Sequence, residues 1–195
     1  MTEHPGETVF LDANVLYPAP VRDFILSLAQ QGILNPKWTE EVQEEWVRNL
    51  LLNKPHLSRS ELEKTIIQMN NAFPDAQVEE YSHLIPLIQL PDPKDTHVVA
   101  GAKHGICTSI LTFNLKDFPP KELAKYGTCP VHPDDFLSDL IQKSKENSLL
   151  AFTTQVFRLK NPTMTALEVI GYLKKSGLNK CGVILEEWIG SAKSK

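Results

Sequence analysis

Short apolar runs of strand length alternate with helical stretches ahead of about His132, and no other feature of the chain limits its possible folds as much. Thr8-Val9-Phe10-Leu11 is a strand-length run that ends in Asp12-Ala13-Asn14, and Pro18 to Gln31 then reads as a helix stopped by Gly32. Ile33-Leu34 reads as a short second strand. Thr39 is placed to cap a helix running to about Leu52, and Ser58 with Glu61 makes a capping box for another helix with Leu62, Ile66 and Met69 on one face. Leu87-Ile88-Gln89-Leu90 is expected as a strand, Thr96 to His104 as a helix closed by Gly105, and Ser109-Ile110-Leu111-Thr112 as a further strand. Parallel neighbours need crossover connections, and helices are the usual ones, so the pattern predicts an α/β fold with a central parallel β-sheet flanked by helices. Beyond His132 the strand signals stop. Asn161-Pro162 is expected to open a helix that contains Leu167, Ile170 and Leu173 and closes at Gly177. The expected organisation is a body over residues 1–140 and a small helical extension over residues 141–195, with Lys143 to Ser148 as the hinge.

Charge follows the same division. Residues 1–140 hold 11 Lys+Arg and 20 Asp+Glu, a balance of −9, while residues 141–195 hold 9 and 4, a balance of +5. An acidic body suits a cluster of metal-binding carboxylates, and a basic tail suits a polyanion. No apolar run approaches the length of a membrane span, and Met1-Thr2-Glu3-His4-Pro5 offers neither a basic start nor an apolar stretch, so neither a membrane segment nor a secretory signal is expected. Cys107, Cys129 and Cys181 are odd in number and lack CxxC spacing, which argues against a disulfide framework or structural zinc and points to a reducing cytoplasm.

In an open parallel sheet, ligands collect at the carboxyl ends of the strands. Asp12 directly follows the first strand, Asp92 and Asp95 follow Leu87–Leu90, and Asp117 follows the strand ending at Thr112, with Asn114 between. Glu44 and Glu45 lie mid-helix, where Val42, Trp46 and Leu50 form the apolar stripe; Glu45 flanks that stripe and is placed to point toward the same rim. Each acid alone has an ordinary role, as a cap, a turn residue or a solvated helix residue. Their common arrival at one rim is what carries weight. Clustered carboxylates repel one another, a cost relieved by raised pKa values or by cations. All-oxygen ligands select hard ions such as Mg²⁺ or Mn²⁺, which keep several waters and accept phosphate oxygens. The chemistry implied is phosphodiester hydrolysis, in which one or two ions orient and deprotonate a water. His97 and His104, seven apart on one helix, have no metal partners or nucleophile nearby and read as structural. Trp38, Trp46 and Trp188 read as packing residues.

These residues resemble the PIN-domain ribonucleases, and among them the VapC-like toxins of bacterial toxin–antitoxin pairs, over residues 8–140. Val9-Phe10-Leu11-Asp12-Ala13-Asn14-Val15-Leu16 is similar to the family's opening, with its first metal-binding Asp after strand one. Trp38-Thr39-Glu40-Glu41-Val42-Gln43-Glu44-Glu45-Trp46 resembles the helix bearing the family's Glu, where the spacing to the apolar residues favours Glu45 over Glu44. Pro91-Asp92-Pro93-Lys94-Asp95-Thr96-His97 resembles the acid-headed helix, with Asp95 at the catalytic position and Asp92 as an added ligand or neighbouring acid. Thr112-Phe113-Asn114-Leu115-Lys116-Asp117-Phe118 is similar to the strand-end motif. Many relatives place an acid where this chain has Asn114, so Asp117 supplies the fourth carboxylate or the position lacks one. The resemblance implies a PIN-like sheet, catalytic and metal-binding roles for Asp12, Glu45, Asp95 and Asp117, and hydrogen-bonding support from Asn14, Thr112 and Asn114. It further implies an endoribonuclease that uses Mg²⁺ or Mn²⁺, a homodimer, and a cognate antitoxin that blocks the site.

For the basic tail, Arg158, Lys160, Lys174, Lys175 and Lys180 are expected to hold the RNA backbone, since an acidic body would repel it. Packing of the tail or antitoxin binding is the competing use. A catalytically silent module that binds RNA or a partner is an alternative to the nuclease. A phosphatase of the haloacid dehalogenase type also begins with a strand and an Asp, but it needs an acid where this chain has Asn14.

Overall fold

The structure is a computed structural model that describes residues 6–160 and 162–192. The amino-terminal Met1–Pro5 segment and Asn161, both used in the sequence reading, lie outside the described residues. Strand β1 (Glu7–Leu11) is followed by the one-turn helix α1 (Ala13–Leu16) and by α2 (Ala19–Gln30), after which β2 (Leu34–Lys37) leads into α3 (Glu40–Asn53) and α4 (Arg59–Ala72). Two 3-10 segments, Ser82–Leu87 and Pro93–Asp95, precede α5 (Thr96–His104) and β3 (Ser109–Leu111). A 3-10 turn at Leu115–Asp117 then leads to α6 (Pro120–Leu123), β4 (Cys129–Val131), α7 (Pro133–Lys143), α8 (Lys145–Arg158), α9 (Ala166–Lys175) and α10 (Asn179–Ala192).

The four strands form one sheet in the order β2-β1-β3-β4, with β1 parallel to β3 (Val9 opposite Ser109, Leu11 opposite Leu111) and β3 parallel to β4. This is the α/β architecture that the alternation predicts. Val9, Phe10, Leu11, Ile110 and Leu111 are fully buried, which is why these strands read as continuous apolar runs: a parallel sheet covered on both faces offers no solvated side. Cys129-Pro130-Val131 gave no clear strand signal because of Pro130, which is tolerated here on an edge strand.

The chain gathers into two compact units. One includes Thr8–Tyr17 and Asn35–Val131; the other includes Pro18–Leu34 and the described residues from His132 onward. In the first unit, Thr39 caps α3 by accepting from the Val42 amide at 3.3 Å, and the Ser58–Glu61 capping box starts α4. Trp38 and Trp46 are fully buried. Gly101 lets α5 lie close to the sheet, because a Cβ there would stand 2.8 Å from the Phe10 ring and 2.9 Å from Thr39 Cγ2. The strand expected at Leu87–Leu90 does not form. Pro86 and Pro91 bracket the run, Leu87 is 68% exposed, and the segment is the end of a 3-10 helix followed by irregular chain. A lone apolar tetrapeptide with prolines at both ends cannot complete a ladder.

In the second unit, Phe24 of α2 meets Phe152 of α8 edge to face at 6.3 Å, and Gln155 Nε2 donates to the Pro20 carbonyl at 3.0 Å. Ser144 (φ −133°) interrupts the chain between α7 and α8, within the Lys143–Ser148 stretch. The helix expected to open at Asn161-Pro162 begins instead at Ala166, where Thr165 and Glu168 form a capping box. That reciprocal pair satisfies two amide donors, whereas a proline at the first position only tolerates their absence. Among the described residues no helix is long and apolar enough to cross a membrane.

Candidate active site

The strand order 2-1-3-4 makes the chain leave β1 in one lateral direction and enter β3 from the other, so a crevice opens between the carboxyl ends of these two strands. Asp12 emerges from β1 and Thr112 from β3 at that crevice, and the Asp12 amide donates to the Leu111 carbonyl at 3.1 Å. Asp12 Oδ2 accepts from Thr112 Oγ1 at 2.7 Å and from Asn14 Nδ2 at 2.6 Å. Asn14 Nδ2 also donates to Thr112 Oγ1 at 3.0 Å, while Asn14 Oδ1 accepts from the Phe113 amide and Thr112 Oγ1 accepts from the Asn114 amide, both at 3.0 Å. The Asp12 carboxylate is therefore clamped by side chains that follow the two central strands.

Asp12, Asn14, Glu45, Asp95 and Asn114 line one cavity of about 350 Å³. Glu45, not Glu44, faces it; Glu44 forms an exposed ion pair with Arg59 at 2.8 Å. Asp95 stands at the N-cap position of α5, yet its side chain makes no capping bond, so the helix leaves the carboxylate unused. Asp92 does not line the cavity and instead accepts from the Lys94 amide at 2.9 Å, closing its own turn. Asp117 is also outside the lining; its Oδ2 accepts from Asn114 Nδ2. Three further lining residues, Tyr17, Asn49 and Asn53, were not anticipated. The spacing of Asn49 and Asn53 at four and eight residues beyond Glu45 is the signal that could have found the last two.

Burial pushes the Asp12 carboxyl up to about 6, against the Thr112 hydrogen bond and with help from the Glu45 charge; the group is 6% exposed. Burial likewise raises Asp95 to about 6, reinforced by Asp12, Asp92 and Asp117. Glu45 is raised too, by burial and by Asp95, with Arg48 opposing. His97, read from sequence as structural, is buried behind these acids, with Nε2 3.7 Å from Glu45 and Nδ1 3.7 Å from Glu41, and its burial favours the neutral ring. An acid whose folded pKa is raised contributes stability that is complete below its unfolded pKa and is lost as pH rises through the folded value. For Asp12 that window runs from 3.8 to about 6, and the loss amounts to about 3 kcal/mol. We expect the urea midpoint in chelator to fall across this window, and Asp12→Asn to flatten the fall; identical pH profiles for parent and variant would contradict the assignment.

The fit of a cation to this site rests on its donors. The lining offers carboxylate and amide oxygens, with no thiol or imidazole, and the raised carboxyl pKa values report negative charge confined by burial. That donor chemistry suits Mg²⁺ or Mn²⁺. Among the described residues no three His, Cys, Asp or Glu side chains converge into a ready-made cage. Mg²⁺ is commonly held without such a cage, through one or two carboxylates, retained waters and substrate phosphate, so the residues present fit the ion.

The tail residues expected to contact RNA are placed in the second unit. Lys174 Nζ pairs with Glu186 at 2.6 Å, Lys180 Nζ with Asp135 at 2.7 Å, and Arg158 Nη1 donates to Gln30 at 2.8 Å. Lys160 Nζ lies 3.9 Å above the Phe157 ring and Lys175 Nζ 5.7 Å above the Tyr172 ring, with Phe157 74% and Tyr172 46% exposed.

Comparison with known proteins adds two likenesses. Residues 133–182 match the family described as the VapC50 C-terminal domain. A protein of Mycobacterium tuberculosis (strain ATCC 25618 / H37Rv) named "Putative ribonuclease VapC50" is 36% identical over 72 residues, covering 37% of this chain and 43% of that relative. The matched stretch thus spans less than half the length of either protein. No solved structure matches the chain.

Proposed function

We propose that this chain is a VapC-like PIN-domain protein, in keeping with its likeness to the VapC50 C-terminal domain over residues 133–182, and that it is an endoribonuclease that hydrolyses RNA phosphodiester bonds with Mg²⁺ or Mn²⁺. The observation that carries this reading is the convergence of Asp12, Glu45 and Asp95, far apart in the chain, on one cavity at the carboxyl end of a parallel sheet. Asp12 and Asp95 would hold the ion, with retained waters and the substrate phosphate completing its shell, and the ion when bound supplies positive charge for the phosphate and acidifies water. Asp12, clamped by Thr112 and Asn14, needs no reorganisation to serve. Glu45, only half buried, is the carboxylate suited to take a proton from the attacking water at its Oε atoms. Asp92 and Asp117 deepen the negative potential at Asp95 without lining the cavity. Among the described lining residues there is no Ser, Cys or His, so the reading is direct attack by water with no covalent intermediate on the protein.

The same reading makes the chain the toxin of a toxin–antitoxin pair, with translation as its target, a homodimeric assembly, a cytoplasmic setting, and an antitoxin that closes the cavity. Its test is incubation of the purified protein with structured RNA in Mg²⁺ or Mn²⁺ and then in chelator. Cleavage that stops on chelation is expected; cutting that persists without metal would overturn the mechanism.

In the tail, Arg158, Lys160, Lys174 and Lys175 are the proposed phosphate contacts. Lys160 and Lys175 should matter more than Lys174, whose ammonium is already paired and only 29% exposed. Replacing Lys160 and Lys175 together with Gln should make the plot of log affinity against log salt shallower by about 1.4, from roughly 0.7 per single-strand phosphate contact. An unchanged slope in filter binding would remove the tail from the RNA site.

A further inference from the structure

The cavity lining carries two chemically different sets of side chains. One is the three carboxylates; the other is the uncharged group Tyr17, Asn49 and Asn53, with no Lys or Arg among the described lining residues. Of the four asparagines that line it, two are committed inside the protein: Asn14 to Asp12, Thr112 and the Phe113 amide, and Asn114 to Asp117. Asn49 and Asn53 differ. Among the described residues no partner engages either amide, although each could donate two hydrogen bonds and accept two. They share a stripe of α3 with Glu45, at intervals of four residues, so Asn49 lies about 6 Å and Asn53 about 12 Å along the helix axis from the acid. Tyr17, at the end of α1, closes the same cavity with an aromatic ring.

We propose that Tyr17, Asn49 and Asn53 form a nucleoside-binding wall that holds the nucleotide next to the bond being cut. The inference rests on the ribonuclease reading and adds to it a subsite for the base and sugar. An uncharged wall suits that role, because the phosphate needs a cation while the base and the 2′-hydroxyl need donors, acceptors and a π-face. In single-stranded RNA the unstacked base is free to lie on an aromatic ring, with its edges read by amides. An asparagine can pair its amide with a base edge through two bonds, which gives this wall the means to prefer one base over another. The arrangement also explains polar residues on a helix stripe that runs directly onward from a carboxylate.

The test uses full-length protein in an Asp12→Asn background, so that RNA is not consumed while binding is read. Fluorescence anisotropy measures the affinity of a mixed-sequence single-stranded oligoribonucleotide in Mg²⁺ buffer for that protein and for versions that add Tyr17→Ala, Tyr17→Phe or the pair Asn49→Ala with Asn53→Ala. Alanine is the best helix former, so α3 should survive, and thermal midpoints check this. Tyr17→Ala and the asparagine pair should each weaken binding about tenfold, the usual scale for losing one stacked base, while Tyr17→Phe keeps the ring and most of the affinity. On the active protein, the asparagine pair should also raise KM more than it lowers kcat and flatten the base preference beside the cut. Unchanged affinity and an unchanged cleavage profile in all these variants would overturn the wall while leaving the nuclease standing. A parent that cuts no RNA but binds it in a Tyr17- and Asn-dependent way would refute the nuclease and uphold the wall. A protein that binds no single-stranded RNA at all would overturn the wall outright.

Discussion

Asp12→Asn is expected to reduce RNA cleavage by about 100-fold or more, since removing even the groups that orient a metal ligand commonly costs 10- to 100-fold. The same change should make the metal-free protein more stable. Asn is isosteric and its side-chain oxygen can keep the bonds from Thr112 and Asn14, so the clamp survives. What disappears is a negative charge, held at 6% exposure beside Glu45 and Asp95. The gain approaches about 3 kcal/mol near neutral pH, the free energy that ionising a buried carboxyl of this pKa withdraws from the fold. Opposite signs for activity and stability mark a residue kept for function at the expense of the fold. Measuring kcat/KM and the urea midpoint on one preparation tests both halves, and full activity in the variant would remove Asp12 from the chemistry.

Asp134→Ala should cause the largest loss of stability from a single charged residue outside the site. The Asp134 carboxylate is buried and accepts from the amides of Lys180 at 2.8 Å and Cys181 at 3.0 Å, which open α10. It serves as an N-cap supplied by another helix, and it also offsets the positive end of the α10 dipole. Truncation leaves two amide donors without an acceptor in a dry setting, at about 3 kcal/mol in total from the usual penalty per donor. Asp135→Ala is the control. Its side chain pairs with the exposed Lys180 ammonium, an interaction that solvent screens, so its urea midpoint should barely move. Equal effects of the two changes would show that α10 is not held this way.

The sheet and most of its acids were legible because parallel strands buried on both faces announce themselves as apolar runs, and an acid at the end of such a run has a fixed place in space. Asp12 is the clearest example. Asp95 was legible for a different reason: its position before a helix was visible although the strand expected ahead of it at Leu87–Leu90 does not exist, and the rim placement comes from α5 packed through Gly101. Spacing to Val42 and Trp46 favours Glu45 in the sequence but leaves the adjacent Glu44 possible. The choice is decided by Arg59, fifteen residues on, which draws Glu44 outward. Tyr17, Asn49 and Asn53 carry no signature in isolation; they become neighbours only when α1 and α3 pack together. The start of α9 is less legible because Pro162 is itself a helix-opening signal, while the Thr165–Glu168 capping box a few residues on satisfies the amide donors and sets the observed start.

The central claim is that folding gathers Asp12, Glu45 and Asp95 into a site for a divalent cation. Calorimetric titration of Mn²⁺ into the metal-free parent and into Asp12→Asn tests it most directly. The account predicts saturable binding in the parent that is lost or greatly weakened in the variant. Indistinguishable isotherms for the two proteins, or a parent that takes up no Mn²⁺, would contradict it.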